Sequence, residues 1–295
     1  ACNLIQMQLS GEQARTVGSS RSSTRPLRIS PRRNRAIRSL VGNTAAAPSW
    51  LNGCNERMPD VITNNAPLRV LIAGGGLGGL FAAISLRKAG MEVVIVERTA
   101  KYRQFGGPIQ LASNGVSTVK ATSESLFRRL HEVSRPFWRT TSGIRDGMNG
   151  SWMFKFDAIT ELPNQYDLPF SICVDRSDLQ EVLLEELQDI GILQMGTSLL
   201  CYHNEPENQG GGVTALLEDG REIHADVLIG ADGIWSQVRA QMFNETAGAK
   251  GATSTASFTG YKLFSGLPLF KPYYYDDVGY SAFIGPDHYF VTCPD

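Results

Sequence analysis

The chain has no cysteine pair at CxxC spacing and no histidines at HxxxH or HExxH spacing. Its five cysteines, Cys2, Cys54, Cys173, Cys201 and Cys293, are odd in number and far apart, so they predict neither a disulfide framework nor a zinc site. His131, His203, His224 and His288 read as surface or structural histidines. Net charge is lacking too. Lys+Arg of 28 against Asp+Glu of 29 leaves −1, which removes any global pull toward nucleic acid or an anionic membrane surface. A membrane-length apolar run is also absent around the most apolar stretch: Val70–Leu86 is uncharged for 17 residues and is closed by Arg87 and Lys88, whereas a span needs about 20.

The charge balance hides an asymmetry. Residues 1–50 hold eight arginines, no lysine and one acid, Glu12. With their serines, residues 1–58 read as a disordered basic segment of transit-peptide composition; a disordered tail and a nucleic-acid arm are the other readings. Aromatics do not interleave with the arginines, which counts against nucleic acid. Residues 59–67, with two prolines and two asparagines, read as a linker.

After the linker the pattern sharpens. "LRVLIA" (68–73) predicts a buried strand, "LGGLFAAISLRKAG" (77–90) a helix stopped by Gly90, and "EVVIVE" (92–97) a second buried strand. This is a βαβ unit with a parallel pair. Further helices are expected over 113–122, 125–133 and 175–191, a hairpin through Asp219-Gly220, a strand at "VLIGA", a short helix at "SQVRAQMF", and aromatic strands after residue 258. Residues 244–257 are low in complexity and read as a mobile loop.

Gly74, Gly76 and Gly79 fit GxGxxG between the first strand and the helix. In that setting Gly74 permits the tight turn, Gly76 lets the backbone approach a pyrophosphate, and Gly79 lets the helix pack close to the strand. The helix N-terminus then offers N–H groups and a positive dipole end to phosphate. Glu97 closes the second strand 18 residues after Gly79, placed to accept hydrogen bonds from ribose hydroxyls and to repel a 2′-phosphate. The motif therefore predicts an FAD or NAD site rather than an NADP site.

Two later motifs follow: Asp175, Arg176 and Leu179, then Gly230, Ala231, Asp232, Gly233, Ser236 and Arg239. In this order the three motifs resemble the single-component FAD-dependent aromatic hydroxylases and epoxidases. "GPIQLASN", "GSWMFKFD", "GADGIWSQVR" and "VGYSAFIGPDHYFV" are similar to the zeaxanthin epoxidase branch of that family, over about residues 66–295. The resemblance implies an α/β fold: a Rossmann-like FAD-binding domain with an interleaved β-rich substrate domain. Within 68–295, residues 68–141 and 170–243 would be mainly FAD-binding, and 142–169 and 258–295 mainly substrate-binding. Arg176 would approach the flavin, and Asp232 with Gly233 would serve FAD and the path of the reducing nucleotide. The family's flavin-contacting arginine between Glu97 and Gly107 corresponds to Arg98 or to Arg103. The family's later Gly-Asp motif has no match after Gly233, so on this resemblance the chain stops inside the substrate domain.

The chemistry implied is oxygen transfer to a ring alkene of a xanthophyll, through a C4a-hydroperoxide of FAD reduced by NAD(P)H or a ferredoxin-linked donor, with O2 as co-substrate. The flavin carries the hard step, so no catalytic side chain is nominated. Trp152, Phe154 and Phe156 alternate along "SWMFKF" and, with Phe283, Tyr289 and Phe290, are candidates to line an apolar slot for a carotenoid or another apolar small molecule; core packing is the competing reading. The resemblance implies a chloroplast location, with room for peripheral contact with the thylakoid membrane. A hydroxylase of small aromatics and a truncated, non-catalytic flavin-binding module are the alternatives.

Overall fold

Arg69–Ala73 (β2) carries four consecutive buried residues, the pattern of a strand covered on both faces. In the computed structural model the described residues are 2–9, 67–103, 106–137, 140–187, 192–206, 211–244, 260–266 and 278–294. Cys2–Leu9 (β1) precedes β2. After β2 come helix Leu77–Lys88 (α1) and Glu92–Glu97 (β3). Pro108–Leu111 (β4), Ser113–Thr122 (α2), Glu124–Glu132 (α3), Ser134–Pro136 (β5), Thr141–Asp146 (β6) and Trp152–Lys155 (β7) follow. Next are Ala158–Tyr166 (α4), Ile172–Asp175 (β8), Arg176–Leu187 (α5), Leu193–Met195 (β9) and Leu199–Asn204 (β10). Val213–Leu217 (β11), Glu222–Ala225 (β12), Val227–Gly230 (β13), Gln237–Met242 (α6), Tyr261–Gly266 (β14), Val278–Ile284 (β15) and His288–Pro294 (β16) complete the order.

β2 pairs in parallel with β3 on one side and β13 on the other, and β9 extends the sheet beyond β3. Alternate residues of β2 feed two cores. Val70 and Ile72 pack with Leu80, Ala83 and Ile84 of α1 and Val182 and Leu183 of α5. Leu71 and Ala73 pack with Val213, Ala215 and Leu217 of the antiparallel β10-β11-β12 sheet. Each fully buried Leu or Ile here contributes about 1.5–3 kcal/mol. The expected helix stop at Gly90 is a Schellman turn. Gly90 has φ +85°, its N–H donates to Arg87 O at 2.9 Å, and Met91 N–H donates to Leu86 O at 3.1 Å.

β6 and β7 join β15, β16, β1 and β14 in a six-stranded sheet, and β4, β8 and β5 form a small antiparallel one. The α/β fold with a parallel sheet matches the expectation. One part of the sequence reading is corrected: Cys2–Leu9, placed there in a disordered segment, pairs with β14 and β16. The rest of that segment, the linker up to residue 66 and nearly all of the 244–257 loop lie outside the described residues. Among the described residues no helix is long and apolar enough to cross a membrane.

Glu186 ties three helices together. Its carboxylate accepts from Ser123 Oγ (2.6 Å) and Ser125 Oγ (2.7 Å), and pairs with Lys88 (3.2 Å) and Arg129. Burial alone would raise this carboxyl, but the hydrogen bonds from Ser123, Ser125 and Lys88 hold it at about 2, against an ordinary 4.5. The folded pKa is depressed, so the stabilisation is present above about 4.5 and lost as pH falls through about 2. Glu186→Gln is expected to cost on the order of 3 kcal/mol at neutral pH. The gap between variant and wild type in urea midpoints should narrow through that acid window; a gap independent of pH would refute the carboxylate's role.

Candidate functional site

From β2 the chain crosses through α1 to β3 on one side and returns later as β13 on the other. Beyond the carboxyl ends of β2 and β13 lies the switch point, where ligands of open α/β sheets bind. Three sequence motifs meet there.

Gly74 has φ +105°, and a Cβ on it would run into the Ala231 carbonyl, within 2.6 Å of the carbon and 2.9 Å of Asp232 Cα. The loop leaving β2 thus lies directly on the chain leaving β13. A Cβ on Gly79 would strike the Gly74 carbonyl oxygen, so α1 sits as close to the strand end as backbone allows. Gly76 is the opposite case: nothing lies within 4 Å of a Cβ built there. It is the N-cap of α1, no side chain caps the helix, and its first turn holds no acid. The first α1 amide with a helical acceptor is Leu80, at 2.9 Å from Gly76 O. The helix's own first turn thus carries neither a cap nor an acid, and open space lies beside Gly76.

Gly75 is held from both sides. Its N–H donates to Glu97 Oε2 at 2.7 Å, and its carbonyl accepts from the Tyr102 hydroxyl at 2.7 Å. The other Glu97 oxygen, Oε1, accepts from Thr99 N–H at 2.8 Å. Glu97 therefore braces the glycine loop, a job its strand-end position alone did not announce; each carboxylate oxygen keeps a second lone pair for a ligand. Burial, and then the Glu97 charge, push the Tyr102 hydroxyl up to about 12, partly offset by Arg176. Tyr102 stays a neutral donor at any physiological pH. It belongs to no motif, and only the fold brings it to Gly75.

Arg176, at the head of α5, packs its Cδ beside Gly106, 2.6 Å from where a Cβ would stand. Gly106 (φ +115°) accommodates that approach. Arg98 and Arg103 are both exposed, and Arg103 borders the undescribed pair 104–105. Asp232 is engaged within the protein. Its Oδ1 accepts from Ser236 Oγ at 2.6 Å, and its Oδ2 from Gln237 N–H at 2.7 Å and Val238 N–H at 3.3 Å, which caps α6. Gly233 follows with φ +82°.

The aromatic candidates separate into two groups. A register shift between Ile144 and Arg145 breaks the alternation along β7. Trp152 stacks on the Arg145 guanidinium at 3.7 Å, with Phe283 at 5.8 Å from the same group and 6.1 Å from Phe290. Phe154 and Phe156 instead contact each other edge-on at 5.6 Å, with Phe154 59% exposed. Tyr289 pairs in register with Ile284.

Residues 67–260 match the family described as FAD binding domain. The chain is 36% identical over 228 residues to a chloroplastic zeaxanthin epoxidase of Oryza sativa subsp. japonica, covering 76% of this chain and 32% of that protein. It is 30% identical over 281 residues to the chloroplastic zeaxanthin epoxidase of an Oncidium hybrid cultivar, covering 90% and 40%. The chain thus spans about a third of the length of these relatives. Klebsiella pneumoniae HpxO, complexed with FAD and uric acid, shares the fold at TM-score 0.56 and 19% identity, over 77% of this chain and 56% of that one. With a family match over most of its length on the glycine-loop fold just described, the chain belongs to the FAD binding domain family.

Proposed function

We propose that the chain carries the FAD site of a monooxygenase whose most favoured reaction is epoxidation of a ring double bond in a xanthophyll of the zeaxanthin type. The observation that carries the cofactor part is the uncapped N-terminus of α1 at Gly76, with open space in front and the Gly75 peptide braced behind by Glu97. An FAD pyrophosphate fits that cradle. The α1 amides would hold it, Glu97 would accept from the adenosine ribose, and Arg176, Asp232, Gly233 and either Arg98 or Arg103 would face the rest of the cofactor. When bound, FAD supplies the redox chemistry and the activation of O2, fed by NAD(P)H or a ferredoxin-linked donor. The chain's own work is to bind, orient and keep dry. Tyr102 fixes the loop as a neutral donor, and the Trp152–Arg145–Phe283–Phe290 row offers an aromatic surface centred on one cation to a substrate.

The substrate class rests on the likeness to the zeaxanthin epoxidases, which also supports a plastid setting. A small-aromatic hydroxylase is the second reading, favoured by the cationic Arg145 beside the aromatic row. Assay with zeaxanthin and with a panel of phenols, under FAD and reductant, separates them: an epoxide supports the first reading, and a hydroxylated phenol with no epoxide refutes it. Glu97→Ala is expected to weaken FAD binding by about 1–3 kcal/mol, through a lost charged hydrogen bond and a loosened glycine loop. Unchanged affinity by flavin-fluorescence titration removes Glu97 from the site.

A further inference from the structure

Cys173 and Cys293 stand 120 residues apart in sequence, yet their sulfurs lie 2.8 Å apart. Cys173 is on β8 of the small antiparallel sheet and Cys293 on β16 of the six-stranded sheet. Their exposures are 1% and 3%, and they share a cluster with Phe137, flanked by Ile159 and Tyr280. Both are thiols in this structure. A disulfide needs sulfurs at about 2.05 Å, so closure asks for a movement of less than about 1 Å.

We propose that Cys173 and Cys293 are an oxidation site: they close to an internal disulfide that fastens the β4-β8-β5 sheet to the six-stranded sheet. A small hydroperoxide is the oxidant, because burial excludes anything large. One thiolate attacks the peroxide, the O–O bond breaks, and a sulfenic acid forms as water leaves. The second thiol displaces the sulfenic oxygen as a second water and forms the S–S bond. With hydrogen peroxide the balance is two thiols and one H2O2 to one disulfide and two waters; sulfur loses two electrons and the peroxide gains them. The apolar surroundings then shield the bond from bulky reductants. The cross-link has a local reach: Cys173 lies three residues before Arg176, on the strand that leads into α5 and brings that arginine beside Gly106. It also closes a loop of about 120 residues, which removes conformational freedom from the unfolded chain.

The test uses the folded, full chain, treated with dilute hydrogen peroxide, blocked with an alkylating agent in denaturant and digested without reductant. The expected result is a loss of two mass units, a linked peptide containing Cys173 and Cys293, and reversal by dithiothreitol. Oxidised protein should melt about 5 °C or more above reduced protein. Cys173→Ala and Cys293→Ala should each abolish both the linked peptide and the oxidant-dependent rise. Recovery of both residues in alkylated form from a sample in which the part-exposed Cys201 has been oxidised overturns the proposal. So does a linked peptide joining Cys293 to any cysteine other than Cys173. None of these readouts depends on flavin, so the proposal stands or falls apart from the FAD reading.

Discussion

Gly76→Val is expected to lower FAD affinity by roughly 100-fold or more, about 2.7 kcal/mol, while the protein folds as before. The separation of the two effects comes from the geometry. Gly76 sits at φ −72° and ψ −178°, extended backbone that valine adopts readily, and its Cβ would meet nothing of the protein within 4 Å. The added side chain fills only the space in front of the α1 amides, where a pyrophosphate would lie. The checks are retention of flavin through desalting, together with the thermal midpoint of the flavin-free protein. Stoichiometric FAD in a folded Gly76→Val protein would remove the cradle from the site.

Gly79→Ala should do the reverse. Ordinary helix propensity favours alanine over glycine by about 1 kcal/mol, so an open position would be stabilised. At Gly79 the new methyl collides with the Gly74 carbonyl, a backbone atom that cannot rotate away. Overpacking against fixed backbone costs about 3 kcal/mol, which outweighs the propensity gain and should lower the midpoint by several degrees. Gly78→Ala is the internal control, because nothing stands within 4 Å of a Cβ there. Equal midpoints for the Gly78 and Gly79 variants would contradict the close packing of α1 on the strand end.

These two outcomes depend on features that a sequence displays locally. The turn glycines, the uninterrupted apolar strands and the Gly90 stop each act within a few residues, so the β2-α1-β3 unit and the acid at Glu97 were legible. Features that depend on distant partners were not. Cys2–Leu9 becomes a strand because β14 and β16 flank it from more than 250 residues away, and the arginines that follow mask its own apolar pattern. Helix α4 gave no helical signal in the sequence because Pro163 lies in its interior; the helix nonetheless continues to Tyr166 and ends at Asp167 in a left-handed turn. Tyr102 has no motif, and its meaning appears only once Gly75 lies against it. Asp232 shows a partial signal: a hydroxyl four residues on and a short helix after it fit a capping acid as well as a cofactor contact.

The most direct test of the cradle is an equilibrium titration of the flavin-free chain with FAD, followed by flavin fluorescence, with ADP as competitor. The account predicts saturation at one FAD per chain, competition by ADP for the pyrophosphate and ribose contacts, and loss of both in Gly76→Val. Saturable binding that ADP does not displace, or no binding by a folded chain, would contradict a dinucleotide held between the α1 N-terminus and Glu97.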